Sequence, residues 1–338
     1  MALREEGVSI IVPAYNAETT IKACVQSAMR SGSRVNEVIV VDDGSTDRTC
    51  DVVGSIEGPI KLIRQKNAGV SAARNLGLSA ARSEYVAFLD ADDEMVESSL
   101  DGMLKMALVS RSDLVYGNYA IRSSAGVADV EEEVFSLEGK RVQNEKLFSS
   151  LLSLKHNSAS GAVWRVLFRR EFLVSFDIQF PVGVRMGEDL IFILSCLSAN
   201  PIVHHCEGRS YILNRMVESV SLSYVSTMED DLLCVVEAFR NNPLCGSYCN
   251  QFLMGRMGDV AWQSCSTIFK AGTTFNSRQR LNKVKEIISR YKSQIKMLNG
   301  DCGLDEKYVK MLRVGSVCPA ALWFCLEIKN KGLNISDN

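Results

Sequence analysis

The 338-residue chain lacks several features that would assign a protein to a class at once. It has no run of about 18 apolar residues, the length that a membrane-spanning helix needs. Its charges nearly cancel, with 38 Lys and Arg against 40 Asp and Glu, so it offers no overall positive field for nucleic acid. Nucleic acid is therefore not expected as a partner, and an anionic ligand must be held by a local site.

Cysteine is frequent, with 11 residues, but its spacing indicates neither a metal site nor a disulfide framework. The number is odd, and the closest pair, Cys245 and Cys249, lacks the second pair or the histidines of a zinc site. The first ten residues are too charged, and their apolar run too short, for a secretory signal. We therefore expect reduced thiols and a cytoplasmic location.

One short apolar stretch near the end of the sequence, Val317–Ile328, comes nearest to a membrane segment. It contains Glu327 and is too short to span a bilayer. A packed helix is the simpler interpretation, and the alternative is a patch that rests on a membrane beside Lys329 and Lys331. Peripheral contact with the inner face of the cell membrane therefore stays open, and so does a homo-oligomer.

The first 120 residues contain a regular alternation of apolar runs and helix-like segments. Strands that alternate with helices predict an α/β fold with a parallel, doubly wound sheet. Strands are predicted at residues 8–15, 36–43, 60–65, 84–90 and 113–121. A further helix is predicted at residues 161–173, and the sequence beyond about residue 225 is mostly helical in pattern.

Polar segments follow four of these predicted strands. They are Pro13–Asn16, Asp42–Asp43, Lys66–Asn67 and Asp90–Asp93. In open α/β sheets, ligands bind outside the carboxyl ends of the strands, so we expect these segments to converge on one site.

The acidic segment after the fourth strand predicts a metal site. Asp90 and Asp92 are separated by one residue, so in an extended segment they point to the same side. Two such carboxylates suit Mg²⁺ or Mn²⁺, which are usually completed by water and substrate phosphates. Asp93 has an alternative role as the cap of the helix that follows.

The other polar segments predict a nucleotide site. The turn after the first strand is not glycine-rich, which argues against a dinucleotide-binding oxidoreductase. Asp42 and Asp43 are acceptors that suit a nucleobase N–H or ribose hydroxyls. Tyr15 could stack on a base or could only close the sheet edge.

Three further side chains near the same edge are donors, and one aromatic residue is ambiguous. Lys66, Asn67 and Arg74 could donate to a nucleotide, although for Arg74 a surface ion pair is the simpler alternative. Trp164 could form a platform for an acceptor sugar or could pack in the core.

Several of these segments together resemble the family 2 glycosyltransferases of the GT-A fold. The segments are VSIIVPAYNAETTIKACVQSAM, EVIVVDDGSTDRT, NAGVSAARNLGLSAARSEYVAFLDADD, WRVLFRREFL and GEDLIFIL. The resemblance covers about residues 7–222 and implies a GT-A catalytic domain at 1–222, with a Rossmann-like, mixed and mainly parallel sheet flanked by helices. Residues 223–338 would form a helical region for acceptor binding, oligomerisation or membrane association.

The resemblance also implies an activity. A family member of this kind moves a sugar from a nucleotide-diphosphate donor, typically UDP-linked, to a hydroxyl of a glycan or lipid-linked saccharide, with inversion. We expect such a role in surface polysaccharide biosynthesis. The alternatives are a polyprenyl-phosphate glycosyltransferase and a catalytically silent nucleotide-sugar binding module.

Carried over to this sequence, the resemblance assigns a role to each candidate residue. The nucleoside site is implied to contain Pro13, Ala14, Tyr15, Asp42, Asp43 and Arg74. Asp90-Ala91-Asp92 matches the DXD motif, with Asp92 as the direct ligand of Mn²⁺ or Mg²⁺. Asp189 matches the catalytic base, with Glu188 as its competitor and helix capping as its alternative role. Arg215 would approach the diphosphate.

Overall fold

The computed structural model of the chain describes most of the first 214 residues and part of the remainder. The described residues are 5–123, 126–130, 141–152, 161–214, 228–244, 257–258, 260–266, 268–269, 275–298, 306–319, 322 and 326. The chain divides into two compact units. The N-terminal unit comprises residues 1–148, 159–184 and 188–216, and the C-terminal unit comprises 149–158, 185–187 and 217–338. The domain boundary expected at residue 222 stays a prediction.

A mixed sheet forms the centre of the N-terminal unit. Its strands are β1 (Glu5–Ala14), β2 (Val35–Asp42), β3 (Ile60–Arg64), β4 (Ser83–Phe88), β5 (Glu94–Met95), β6 (Leu114–Ser123), β7 (Gly126–Val130), β8 (Arg141–Val142), β9 (Val166–Arg169) and β10 (Val203–Asn214). The strand order is β3-β2-β1-β4-β9-β6-β10-β5, with β7 beside β6 and β8 beside β10. The pairs β3–β2, β2–β1, β1–β4 and β6–β10 are parallel. β9 is antiparallel to both of its neighbours, β4 and β6.

Helices pack on both faces of this sheet. The helices up to residue 198 are α1 (Ile21–Arg30), α2 (Thr49–Gly54), α3 (Val70–Ala80), α4 (Ser99–Ser110), α5 (Asn144–Leu152), α6 (Arg170–Ser175) and α7 (Glu188–Ser198). Ile10 and Val12 of β1 lie in one core cluster with residues of α1 and α4. Ile11 points to the other face, where a Cβ on Gly77 of α3 would lie 2.3 Å from its Cγ2. The alternating side chains of a central strand thus bury one helix layer on each face.

The helix predicted at residues 161–173 is wrong. Val163–Arg165 form a 3₁₀ turn, β9 follows, and only α6 is helical. β9 lies between β4 and β6, and Val166, Leu167 and Phe168 are buried there. A short apolar run of this kind fits a buried strand as well as a buried helix, so periodicity could not distinguish them.

The described part of the C-terminal unit is helical, as its sequence pattern predicted. Its helices are α8 (Met228–Asn241), α9 (Ser277–Arg290), α10 (Lys292–Met297) and α11 (Glu306–Val317). Asn276 and Gln279 form a capping box at the start of α9, which satisfies backbone donors that the helix itself leaves unpaired. Among the described residues, no helix has the length and apolar character needed to cross a membrane. Most of the apolar stretch Val317–Ile328 lies outside these residues.

Candidate active site

A cleft of about 380 Å³ lies at the carboxyl ends of β1 and β4 in the N-terminal unit. Its lining residues are Pro13, Ala14, Tyr15, Asn16, Ala17, Thr19, Thr20, Asp43, Val70, Ala73, Asp90, Ala91 and Asp92. The structure therefore brings together eight residues of the segments that the sequence predicted to converge on one site. Tyr15 is 52% exposed, so its ring is available to a ligand in the cleft.

The carboxylates of Asp90 and Asp92 keep oxygens free for a ligand. Asp90 Oδ1 accepts from Arg74 at 2.9 Å. Neither Asp90 Oδ2 nor the Asp92 carboxylate has a hydrogen-bond partner from another residue within the described part of the chain. Partial burial of the carboxyl group, and then the Asp90 charge, raise the pKa of Asp92 above its ordinary value. A bound cation would stabilise the Asp90 and Asp92 carboxylates, because it offsets the repulsion between their negative charges.

These two residues fit the divalent cation that the fold family implies, provided that the cation has other ligands. Carboxylate oxygens are ligands of the kind that Mg²⁺ and Mn²⁺ prefer. In the described segments, no three His, Cys, Asp or Glu side chains come close enough together to hold a metal by themselves. Mg²⁺ is often held by one or two carboxylates together with substrate phosphates and water. The pair therefore suits a cation that shares its coordination with a diphosphate.

Asp93 supports this turn and does not cap a helix, so that alternative is wrong. α4 begins only at Ser99. Asp93 Oδ2 accepts from the Tyr211 hydroxyl at 2.8 Å, and Oδ1 accepts from the Asn214 amide at 2.7 Å. Burial, and then the Asp90 charge, raise the pKa of Asp93 to about 8. The buried carboxyl group fixes the acidic turn against the end of β10.

Asp43 lines the cleft, but its carboxylate is already used by the protein. Oδ1 accepts from Gln65 Nε2 at 2.7 Å and from the Ala68 amide at 2.8 Å. Oδ2 accepts from the Gly69 amide at 2.8 Å. Asp43 thus holds the loop between β3 and α3, which leaves it little capacity to accept from a nucleobase.

Asp42 does not line the cleft. Its side chain is fully buried and pairs with Arg64 Nε at 3.1 Å, and it accepts from the Ser45 amide. Lys66 and Asn67 are exposed on the adjacent loop and are also absent from the lining. The four segments that the sequence placed at one edge therefore differ in how directly they face the cleft.

Arg74 is buried and contacts three carboxylates. Its Nη2 lies 2.9 Å from Asp90 Oδ1, and its Nη1 lies 2.6 Å from Asp189 Oδ1 and 3.1 Å from Glu188 Oε1. The guanidinium carbon lies 5.1 Å from the centre of the Phe180 ring. The alternative of a surface ion pair is therefore wrong, because the side chain is only 4% exposed. Arg74 is also not among the residues that line the cleft.

Asp189 is the second residue of α7, so it is not the cap that precedes this helix. Oδ1 accepts from Arg74, and Oδ2 accepts from the Val163 amide at 3.4 Å. The side chain stays 22% exposed, which leaves it accessible to a substrate. Burial raises the pKa of Asp189 above its ordinary value, and Arg74 opposes this shift. A raised pKa makes this carboxylate a stronger base than an exposed aspartate.

Sequence reasoning missed the network around Tyr211. This tyrosine donates to Asp93, accepts from the Asp90 amide at 3.3 Å, and stacks on Trp164 with ring centres 4.4 Å apart. Trp164 is half-buried and packs against the core, which was one of its two interpretations. The apolar run before Asn214 could indicate a buried segment. It could not indicate the contact with Asp93, which lies 118 residues from Tyr211. Arg215 lies outside the described residues.

Comparison with solved structures shows a shared fold. The structure of S. aureus TarS 1-349 in complex with UDP-GlcNAc matches with a TM-score of 0.67 and 22% identity. The match covers 98% of this chain and 94% of that chain. The predicted GT-A fold, with its mixed sheet flanked by helices and its helical C-terminal part, is confirmed.

Comparison of sequences shows the family. Residues 9–173 match the family model described as Glycosyl transferase family 2. The uncharacterized glycosyltransferase EpsJ of Bacillus subtilis (strain 168) is 31% identical over 230 residues, 67% of this chain and 66% of EpsJ. The succinoglycan biosynthesis protein ExoO of Rhizobium meliloti (strain 1021) is 30% identical over 249 residues, 69% of this chain and 67% of ExoO. The chain belongs to glycosyltransferase family 2, and it spans just under two thirds of EpsJ.

Proposed function

We propose that the protein is an inverting glycosyltransferase that uses a UDP-sugar and a hydroxyl of a glycan or lipid-linked saccharide in surface polysaccharide biosynthesis. One observation carries this proposal. Asp189, the candidate base, and Asp90, at the free acidic end of β4, bind the two terminal nitrogens of one guanidinium. A base and a diphosphate site are therefore held side by side. The names of ExoO and of the UDP-GlcNAc complex of TarS support the pathway and the donor.

The donor would bind in the cleft at the ends of β1 and β4. The exposed ring of Tyr15 offers a face on which a base can stack, and Pro13 and Ala14 form the adjoining wall. Asp90 and Asp92 would hold Mn²⁺ or Mg²⁺ against the diphosphate. A bound divalent ion of this kind stabilises the negative charge that develops on the leaving nucleotide. Asp43 contributes by fixing the loop at residues 65–69 beside the cleft.

The transfer step needs one base. The acceptor hydroxyl attacks the anomeric carbon and gives its proton to the Asp189 carboxylate, while the bond from that carbon to the diphosphate oxygen breaks. The new glycosidic bond forms on the face opposite the leaving group, so the configuration inverts and no covalent enzyme intermediate is required. The raised pKa of Asp189 suits this proton transfer near neutral pH.

The test begins with the wild-type protein, Mn²⁺ and a panel of nucleotide sugars. We expect a UDP-sugar to raise the melting temperature, and EDTA to remove most of this effect. The variant Asp189→Asn should keep UDP binding and lose transfer by about 10²- to 10⁴-fold, the range for loss of general-base catalysis. Failure of every nucleotide sugar to stabilise the wild type would overturn the proposed donor site.

Glu188→Gln is the matched control, because Glu188 shares the same Arg74 nitrogen and adjoins Asp189 in the chain. It removes one charge from the same cluster. We expect it to reduce transfer much less than Asp189→Asn does. The opposite order of effects would assign the base to Glu188.

A further inference from the structure

Arg74 joins two parts of the chain that are far apart in sequence. Asp90 follows it by 16 residues, whereas Glu188 and Asp189 follow it by 114 and 115 residues. Its two terminal nitrogens divide between these groups, since Nη2 contacts Asp90 and Nη1 contacts both acids of α7. One planar guanidinium thus sets the separation between the end of β4 and the start of α7.

The helix that carries Arg74 is a rigid support. At Gly77, a single added Cβ would approach Ile11 Cγ2 to 2.3 Å, so α3 lies directly against β1. The neighbouring Asn75 makes two hydrogen bonds to the backbone of Phe180, at 2.9 and 2.8 Å. The Phe180 ring in turn lies beside the Arg74 guanidinium. Adjacent residues of one fixed helix therefore hold both the acids of α7 and the segment that precedes them.

The charges explain why this contact is needed. Asp90, Glu188 and Asp189 converge on one buried cation, and without it three carboxylates would repel one another. Removing one partner of a buried ion pair leaves an uncompensated charge, which the structure relieves by moving the side chain or the backbone. Such a movement would increase the distance between Asp189 and Asp90, which lines the cleft.

We propose that Arg74 is a positioning residue, which holds Asp189 at a fixed separation from Asp90 and makes no contact with the nucleotide. The inference rests on the proposed function, because it concerns the distance between the base and the donor site. It differs from the role that the family resemblance implies for Arg74, which is nucleotide binding. Displacement of a reacting group by about 1 Å can reduce the rate about 100-fold, so the effect should appear in kcat.

The experiment compares Arg74→Gln and Arg74→Lys with the wild-type protein. The first measurement is the Kd for UDP in EDTA, which reports nucleotide contacts without the metal. The second is kcat per UDP-binding site, together with KM for the donor. We expect unchanged UDP affinity, little change in KM, and a fall in kcat of about 100-fold for Arg74→Gln. Arg74→Lys should recover part of the loss, because it keeps the charge but not the two-pronged geometry.

The other outcomes would contradict a positioning role for Arg74. A large rise in the UDP Kd would make Arg74 a nucleotide contact, and an unchanged kcat per binding site would make its role purely structural. If neither Arg74 variant folds, Asn75→Ala decides the question, since it frees the Phe180 segment and should lower kcat without weakening UDP binding. An unchanged kcat in that variant overturns the inference. If the wild type transfers no sugar, the proposed function fails first.

Discussion

The ends of β2 and β4 look alike in the sequence but differ in the folded protein. Each is a strand that pairs in parallel with β1, and aspartates lie close together at the carboxyl end of each. After β2, the carboxylates of Asp42 and Asp43 accept from side chains and backbone amides of the protein itself. After β4, the Asp92 carboxylate has no partner from another residue in the described part of the chain. The Asp42–Asp43 pair therefore stabilises the fold, whereas Asp92 and one carboxylate oxygen of Asp90 are available to a ligand.

The difference comes from the segments that approach each strand end. Gly44 has a φ of 78°, and a Cβ there would lie 2.8 Å from the Asn67 amide nitrogen. The loop after β3 can therefore come close and direct its N–H groups at Asp43. At the other end, the side-chain amide of Asn214 approaches Asp92 but donates to its main-chain oxygen, at 2.9 Å, and not to its carboxylate. The availability of an acid is thus decided by its neighbours and not by the acid itself.

Among substitutions at the two strand ends, Asp92→Asn should have the largest effect, which is a loss of transfer. Loss of one cation ligand should reduce Mn²⁺-dependent transfer about 10³-fold, or roughly 4 kcal/mol, because the charge on the leaving diphosphate is less stabilised. The free energy of unfolding should not fall, since the substitution relieves repulsion with Asp90. Transfer assays and urea denaturation measure the two effects. A destabilised protein with normal transfer would show that Asp92, like Asp42, stabilises the fold and is not a ligand of the cation.

Asp93 should make the β4 end sensitive to pH. Its folded pKa of about 8 exceeds that of an unfolded aspartate, so the folded state holds the extra proton at neutral pH. The contribution of Asp93 to the free energy of unfolding is therefore fully present below its unfolded pKa. It is lost as the pH rises through its folded pKa. In EDTA, linkage predicts a loss of roughly 3 kcal/mol between about pH 5 and pH 7.5. Denaturation at several pH values should show this slope.

Asp93→Asn should flatten the slope, because an amide does not titrate. Asp51→Asn, at an exposed position on α2, is the matched control and should leave it in place. An equal slope in all three proteins would show that another group causes it.

Asp42→Asn should affect stability and not binding. The amide replaces a fully buried acceptor of the Ser45 amide and of Arg64, which should cost about 2 kcal/mol in the free energy of unfolding. The Kd for UDP should stay close to that of the wild type, because Asp42 does not line the cleft. Weakened UDP binding in a fully stable variant would instead support the nucleoside contact that the family resemblance implies.

Arg64→Met should have the smallest effect. Arg64 pairs with Asp42, but its own side chain is 63% exposed, so water screens the interaction. We expect a loss below about 1 kcal/mol in the free energy of unfolding, because water around the exposed guanidinium weakens its attraction to the buried carboxylate. Urea denaturation beside Asp42→Asn gives the comparison. A loss as large as that of Asp42→Asn would mean that the pair, and not the buried acceptor alone, holds the β2 end.

The sequence predicted the sheet well where its strands are buried, apolar and separated by helices. β1, β2, β3, β4 and β6 all fall at their predicted places. β9 was missed because a short apolar run has no period that separates a strand from a helix. Its position between β4 and β6 depends on pairing with strands far away in the chain.

The sequence by itself determined the family, the alternation of strands and helices over the first 120 residues, and the collection of polar residues at the strand ends. Those properties follow from local patterns of apolar and polar residues, which the chain carries without reference to its fold. Only the tertiary structure decided which aspartates are free, and that Arg74 contacts three carboxylates. Hydrogen bonds between residues up to 122 positions apart use up some acceptors and leave others unpaired. No local pattern encodes that distribution.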